Sequence, residues 1–161
     1  MIEIKANIWD NQFDGMWRVI PINCQINSKG ELIMGAGLAK EAKFRYPSLP
    51  KHFANLIYDQ ERRGQPIFPL LRWIGDQDVN LMGFPTKRHW RDKSNLSLIE
   101  EGLIFLQGLM PYLMCDGERE KAVCPRLGCG ERTGRLDWER EVRPLFLKYF
   151  ENDDNLIVVS L

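Results

Sequence analysis

"FPTKRHWRDKSNLSLIEEGL" (Phe84–Leu103) sets five basic or imidazole side chains, Lys87, Arg88, His89, Arg91 and Lys93, between an apolar run and a helical one. On its amino side "DVNLMGFP" (Asp78–Pro85) reads as a strand. On its carboxyl side Ser94 is the expected N-cap. From there Leu96, Ile99, Leu103, Leu106, Met110 and Leu113 recur at steps of three and four, one buried helical stripe that Pro111 ends or bends. Strand, polar turn and helix in that order form the repeating unit of a sheet covered by helices.

The alternation continues in both directions. "IEIKANI" (Ile2–Ile8) has period two, and "WRVIPIN" (Trp17–Asn23) is a second extended run in which Pro21 argues for a sheet edge or an irregularity. "MGAGLAKEAKFRYP" (Met34–Pro47) predicts a helix with glycine at its entrance and Pro47 at its close. "PKHFANLIYDQERRG" (Pro50–Gly64) predicts another, with Pro50 near its start and Gly64 at its end. "IFPLLRWIG" pairs with "DVNLMGFP" as a hairpin across Gly75 and Asp76, although Pro69 weakens the first strand. Beyond the central helix come a short strand "KAVCP", a loop "RLGCGERTGRLD", a helix "WEREVRPLFLKYF" with Trp138, Val142, Leu145 and Tyr149 on one face, and a last strand "NLIVVSL". The expectation is a three-layer α/β/α fold, one domain over residues 1–161, without repeats or linkers.

Composition narrows the function classes. The chain has 161 residues, 44% hydrophobic and 27% charged, and its 22 Lys and Arg balance 22 Asp and Glu, so any nucleic-acid surface must be local. Cys24, Cys115, Cys124 and Cys129 lack CxxC spacing, and His52 and His89 lie far apart, so reduced thiols are expected rather than bridges or a metal site. Cys24, Cys115 and Cys124 read as core or strand packing, and His52 as an exposed helix residue. Cys129 has no adjacent histidine to activate it, and close packing is its expected role. The opening "MIEIKANIWD" has no leader pattern and no run is long enough to span a membrane, which points to the cytoplasm.

Two glycine loops stand between a strand and a helix. "MGAG" (Met34–Gly37) leads into a helix whose first N–H groups lack intrahelical partners, and small residues let an anion approach them. It lacks the lysine and Ser/Thr of a P-loop and the GxGxxG spacing of a dinucleotide fold. "GCGERTG" (Gly128–Gly134) has the same context, so both loops are expected at the carboxyl edge of one sheet.

Taken in order and spacing, "INCQINSKGELIMGAGLAKEAKFRYP", "FPTKRHWRDKSNLSLIEEGL" and "PRLGCG…LDW" resemble the macrodomain family over nearly the whole chain. They look most like its branch containing the DarG antitoxin and the terminal ADP-ribose protein glycohydrolase. The resemblance implies a central mixed sheet and ADP-ribose as ligand, with no cofactor. Asn7 and Ile8 would lie at the adenine, and Asn23 at the distal ribose. Met34, Gly35, Ala36, Gly37 and Leu38 would line the diphosphate on one side; Pro125, Leu127, Gly128, Cys129, Gly130, Glu131, Arg132, Thr133 and Gly134 would close from the other. It also implies an ADP-ribosylated macromolecule as substrate, single-stranded DNA among the partners, and, from the antitoxin, a cognate ADP-ribosyltransferase toxin.

The chain departs from the family pattern at four places. Asn7 stands where relatives carry an Asp, and Ile20 near their first Asn. The second glycine loop is about two residues longer. Gly134 stands where the protein glycohydrolase has a catalytic Asp, as in the DNA-directed branch.

Lys87 matches the catalytic lysine of that branch. A neutral amine can attack the anomeric carbon of an opened ribose, whereas an ammonium cannot. Arg88, His89 and Arg91, with partial burial, are expected to lower its pKa. Trp90 could stack on an unpaired base or pack on the next helix. Asp137 reads first as an N-cap, with a general-base role as the sharper alternative. The function expected is an ADP-ribosyl hydrolase preferring DNA over Glu- or Asp-linked protein. A binding module without turnover and an enzyme acting on a small ADP-ribose derivative are the alternatives.

Overall fold

Val19 and Ile20 are neighbours on one strand, yet they bury in different cores on opposite sides of a sheet. A computed structural model describes residues 1–65, 70–73, 79–115 and 118–161, and of residues 70–73, 114, 115, 118 and 119 the backbone alone. The strands are β1 (Ile2–Lys5), β2 (Trp17–Ile22), β3 (Leu70–Trp73), β4 (Val79–Pro85), β5 (Met114–Cys115), β6 (Glu118–Arg119), β7 (Ala122–Pro125) and β8 (Leu156–Ser160). The helices are α1 (Gly37–Arg45), α2 (Leu49–Arg62), α3 (Leu96–Leu109) and α4 (Arg143–Phe150).

Six strands form a mixed sheet in the order β1-β8-β7-β2-β4-β3, and β5 and β6 pair separately. The neighbours from β1 to β4 run parallel, and β3 is antiparallel to β4 with Leu70 opposite Met82. The expected hairpin is therefore present; its turn at Gly75 and Asp76, and Pro69, lie outside the described residues, as does the side chain of Cys115.

Side-chain alternation divides the interior. Val19, Met82, Phe84, Cys124 and Val158 pack against Ile99, Leu103 and Leu106 of α3 and Phe146 and Phe150 of α4. Ile20, Ile22, Val79 and Leu81 face Ala42 of α1 and Leu49, Phe53 and Ile57 of α2. Val123, Ile157 and Val159 gather Ile8 and Phe13 from the segment after β1. β4 is buried along its whole length, as a strand covered on both faces must be. The three-layer expectation holds.

Three local readings are corrected. Pro21 lies in a central strand, because its nitrogen points toward β7 beyond the last pair of that ladder, Arg18 with Val123. The opposite direction follows from Ile22, whose carbonyl accepts from Thr86 N on the β4 side at 2.9 Å. The cap of α3 is Asn95, whose side chain accepts from Leu98 N at 3.0 Å; Ser94 is buried instead. The final helix opens with a π-helical turn, Trp138–Val142, which widens the first winding. The inward residues are consequently Trp138, Val142, Phe146 and Phe150, while Leu145 and Tyr149 flank them.

The chain leaves β2 for the α1/α2 layer and returns to the sheet as the edge strand β3 and then as β4 beside β2. It then crosses through α3, in the opposite layer, to β7 on the other side. Loops after β2 and β7 thus turn to opposite faces and open a crevice at the carboxyl ends of neighbouring strands.

Phe146 is fully buried and meets Trp138 edge-on at a centroid distance of 5.2 Å. Phe146→Ala should lower unfolding free energy by about 3–5 kcal/mol, read from urea denaturation.

Candidate functional site

The crevice has a volume of about 850 Å³, within the range of small-molecule sites. Its floor is the carboxyl ends of β2, β4 and β7. One wall is the segment before and at the start of α1, and the other is the loop after β7.

The first wall is shaped by Asn23. Its Nδ2 donates to Ile33 O at 2.7 Å and its Oδ1 accepts from Gln25 N at 2.9 Å, so this half-buried loop is pinned across its width. Cys24 N donates to Arg88 O at 3.0 Å, tying the loop to the lysine turn. Ala36 stands at the N-cap with no side-chain oxygen to offer, and Gly37 takes φ +52°. The first amides of α1 are thereby left to an outside acceptor.

The second wall folds back on itself. Thr133, Gly134 and Arg135 all donate their N–H to Gly130 O, at 3.2, 2.8 and 3.0 Å, and Leu136 N donates to Gly128 O at 3.0 Å. A Cβ on Gly134 would lie 1.9 Å from Gly128 O, so this position accepts only glycine. Arg135 holds φ +61°, a left-handed conformation that costs a side-chain-bearing residue about 1–2 kcal/mol. Ser94 N donates to Gly134 O at 3.0 Å and fastens the loop to the lysine turn.

Lys87 ties its own turn to the second wall. It is only 9% exposed, and its Nζ donates to Thr133 O at 2.7 Å and to Asp92 O at 3.0 Å. Burial first, then the Arg135 guanidinium, lowers its pKa from the ordinary 10.5, while Asp92 opposes them. The burial part of the expectation holds and its charge part is corrected: Arg88 and Arg91 face solvent and His89 is half-buried, and the cation that matters comes from the other loop. A neutral amine donating its two hydrogens to these carbonyls keeps a lone pair free.

The crevice is lined by Asn23, Gly35, Ala36, Gly37, Leu38, Lys87, Pro125, Gly128, Gly130, Arg132, Thr133 and Gly134 from the expected set. Met34, Leu127 and Ile8 are buried in the cores beneath it, and Asn7, Cys129 and Glu131 lie outside its lining. Asn7 uses its Oδ1 to accept from Trp9 N at 2.9 Å. Sequence reasoning missed Thr86, Ser94, Arg126 and Arg135 as wall residues; the arginines spaced through a glycine loop were the available signal. Trp90 and Arg91 also line the mouth, where Trp90 is 45% exposed with the Arg91 guanidinium 4.7 Å from its ring centroid. That leaves nearly half of Trp90 at the surface beside the crevice.

Other expectations resolve simply. Asp137 is exposed and caps the final helix, its Oδ1 accepting from Arg140 N at 2.8 Å. Burial pushes the Cys24 and Cys129 thiols up to about 11, and raises that of fully buried Cys124 well above the ordinary thiol value, so none is a ready nucleophile. His52 is exposed on α2. Among the described residues no group of three or more His, Cys, Asp or Glu side chains could hold a metal ion. No helix among them is long and apolar enough to cross a membrane.

No protein-family model matches the sequence. Over 147 residues the chain is 30% identical to a DNA ADP-ribosyl transferase-DNA ADP-ribosyl glycohydrolase fusion protein of Thermosipho africanus, a match covering 82% of this chain and 36% of that protein. The macrodomain of Mycobacterium tuberculosis DarG superposes with a TM-score of 0.70 at 25% identity, covering 99% of this chain and 98% of the other. The chain is a macrodomain. Thermosipho africanus DarTG in complex with ADP-ribose has a TM-score of 0.65 at 25% identity, covering 94% of this macrodomain and 40% of that chain. The similarities fall in the DarG branch, and the chain spans about a third of the length of the curated relatives it matches.

Two predictions concern the second wall of this macrodomain. Gly134→Ala should break the loop and lower the melting temperature by several degrees in a thermal scan, since the clash is with backbone. Arg135→Gly should do the opposite, adding about 1 kcal/mol to stability in urea by relieving the positive φ. It should also move the Lys87 titration alkaline, because a repelling cation is gone.

Proposed function

We propose that this macrodomain removes ADP-ribose from DNA, with Lys87 as the covalent catalyst. The observation that carries the reading is a lysine nitrogen buried beside the second glycine-rich wall, depressed in pKa and hydrogen-bonded to two main-chain carbonyls. Relatives named for DNA ADP-ribosyl glycohydrolase activity, and one solved with ADP-ribose, support it.

The diphosphate lies between the α1 amides and the loop Gly128–Gly134, near Arg126, Arg132 and Arg135. Asn23 and Thr86 border the distal ribose beside Lys87. Asn7, beyond the crevice lining, meets the adenine end, with Ile8 buried in the core behind it. In the reaction, the neutral Lys87 Nζ attacks the anomeric carbon of the distal ribose, the bond to the DNA base breaks, and a proton passes from the attacking nitrogen to the departing base. Ring opening gives a Schiff base between Nζ and that carbon. One water then adds, releasing ADP-ribose and the free amine, so the net change is hydrolysis of one glycosidic bond.

Gly134 supports DNA over Glu- or Asp-linked protein. Its Cβ position is filled by Gly128 O, so the loop offers no carboxylate there to assist the lysine. A cognate ADP-ribosyltransferase toxin belongs to the same reading.

Lys87→Ala should reduce ADP-ribose release from modified single-stranded DNA by at least a thousandfold while ADP-ribose still raises the melting temperature. Lys87→Arg, which keeps the donors but not a nucleophilic amine, should fail equally. Release without loss in either variant refutes the chemistry, and binding without release from any linkage by the unaltered protein would make the domain a reader. The unaltered enzyme should speed up with rising pH through one ionisation below 10.5, the sign expected when the neutral amine reacts.

A further inference from the structure

The turn that carries Lys87 goes on to expose Trp90 and Arg91 at the mouth of the crevice, and the reaction above uses neither. Resting on the hydrolase reading, we propose that this edge of the mouth binds the DNA strand: Arg91, held on the Trp90 ring, takes a backbone phosphate beside the modified nucleotide.

Unspent charge argues first. Among the described residues, Arg91, Arg126, Arg132 and Arg135 border the crevice, all exposed, and no carboxylate does. None of these arginines has a carboxylate partner there, whereas Arg18, Arg62 and Arg143 do elsewhere. In a chain whose 22 basic and 22 acidic side chains balance, that is a local field of one sign. Arg126, Arg132 and Arg135 belong to the segment after β7, on the diphosphate's side. Arg91 follows β4, across β2 from β7, and is left without an anion.

Preorganisation argues second. The Arg91 guanidinium lies 4.7 Å from the Trp90 ring centroid. A guanidinium stacked on an indole keeps the N–H donors along its edge free, and a phosphate can accept two of them at once. The turn is braced around that pair. Arg91 N donates to His89 Nδ1 at 3.2 Å, Asp92 N donates to His89 O at 3.1 Å, and the His89 ring stacks on Trp90 at a centroid distance of 5.8 Å.

Position argues third. The attacking nitrogen is buried, so the displaced base departs on the side of the reacting carbon turned away from Lys87, toward the opening. DNA continues from that base in both directions, and its backbone crosses the rim. On the β4 side the strand meets Arg91, with Arg88 and Lys93 exposed on the same turn. Phosphate contacts of this kind fix the register of a strand without reading its sequence.

The test measures binding, apart from turnover. In Lys87→Ala protein an ADP-ribosylated single-stranded oligonucleotide should bind about tenfold more tightly than ADP-ribose at low salt, with a log–log salt slope steeper by about 0.7 for each phosphate held. Arg91→Gln in that background should remove about 0.7 of the slope and most of the advantage. ADP-ribose affinity and melting temperature should not change, because the side chain is exposed. Trp90→Ala should weaken the advantage, and Trp90→Phe, which keeps a ring against the guanidinium, should retain it. An oligonucleotide with uncharged methylphosphonate linkages on both sides of the modified base should lose the advantage and become indifferent to Arg91→Gln. Equal affinity for ADP-ribose and the modified oligonucleotide overturns the proposal. So does an advantage that survives Arg91→Gln or the methylphosphonate linkages. Failure of the unaltered protein to release ADP-ribose from the oligonucleotide, by contrast, removes the hydrolase reading itself.

Discussion

One nitrogen holds the site together. Lys87 Nζ donates to Asp92 O within its own turn and to Thr133 O in the loop after β7, the two bonds measuring 3.0 and 2.7 Å. Each wall has its own internal bracing, through Asn23 on one side and Gly130 O on the other. The lysine, with Ser94 N on Gly134 O, fixes the distance between the turn and the second wall. The same burial that makes those bonds strong makes a charge on that nitrogen costly, so the anchoring and the lowered pKa come from one cause.

The sheet makes such a junction available. Because β7 and β4 flank β2, residues immediately after three neighbouring strands converge: Asn23, Thr86 with Lys87, and Arg126. The strands supply rigid positions and the glycines supply close approach. Gly134 is the sharpest instance, since the space of its missing side chain is occupied by Gly128 O. The strained Arg135 follows directly, its left-handed backbone accepted at the point where its cation faces the lysine.

The layer architecture was legible because strand and helix periods alternate cleanly along the chain; the stripe from Leu96 to Leu113 faces the core along α3 and the turn after it, as read. Lys87 and most of the two glycine loops were legible through motif order. What escaped reading depended on three dimensions. Pro21 could be central only because the β7 ladder stops short of it. The inward face of the last helix was misphased by a π-helical turn that no pattern of apolar residues announces. The lysine's electrostatic partner was sought among adjacent residues, whereas Arg135 lies far along the sequence and arrives through the loop. Ser94 was displaced from its expected capping role for a related reason, burial beneath that same loop, and Asn95 took the cap.

The central claim is that Lys87 reacts as an uncharged amine beside the second wall. Its most direct test is reductive trapping: the protein is mixed with ADP-ribosylated single-stranded DNA and cyanoborohydride, then digested for mass spectrometry. The account predicts a secondary amine joining ADP-ribose to Lys87 alone, since the Schiff base is the species that the reductant captures. An adduct on another lysine, or rapid ADP-ribose release with no adduct at any concentration of reductant, would contradict it.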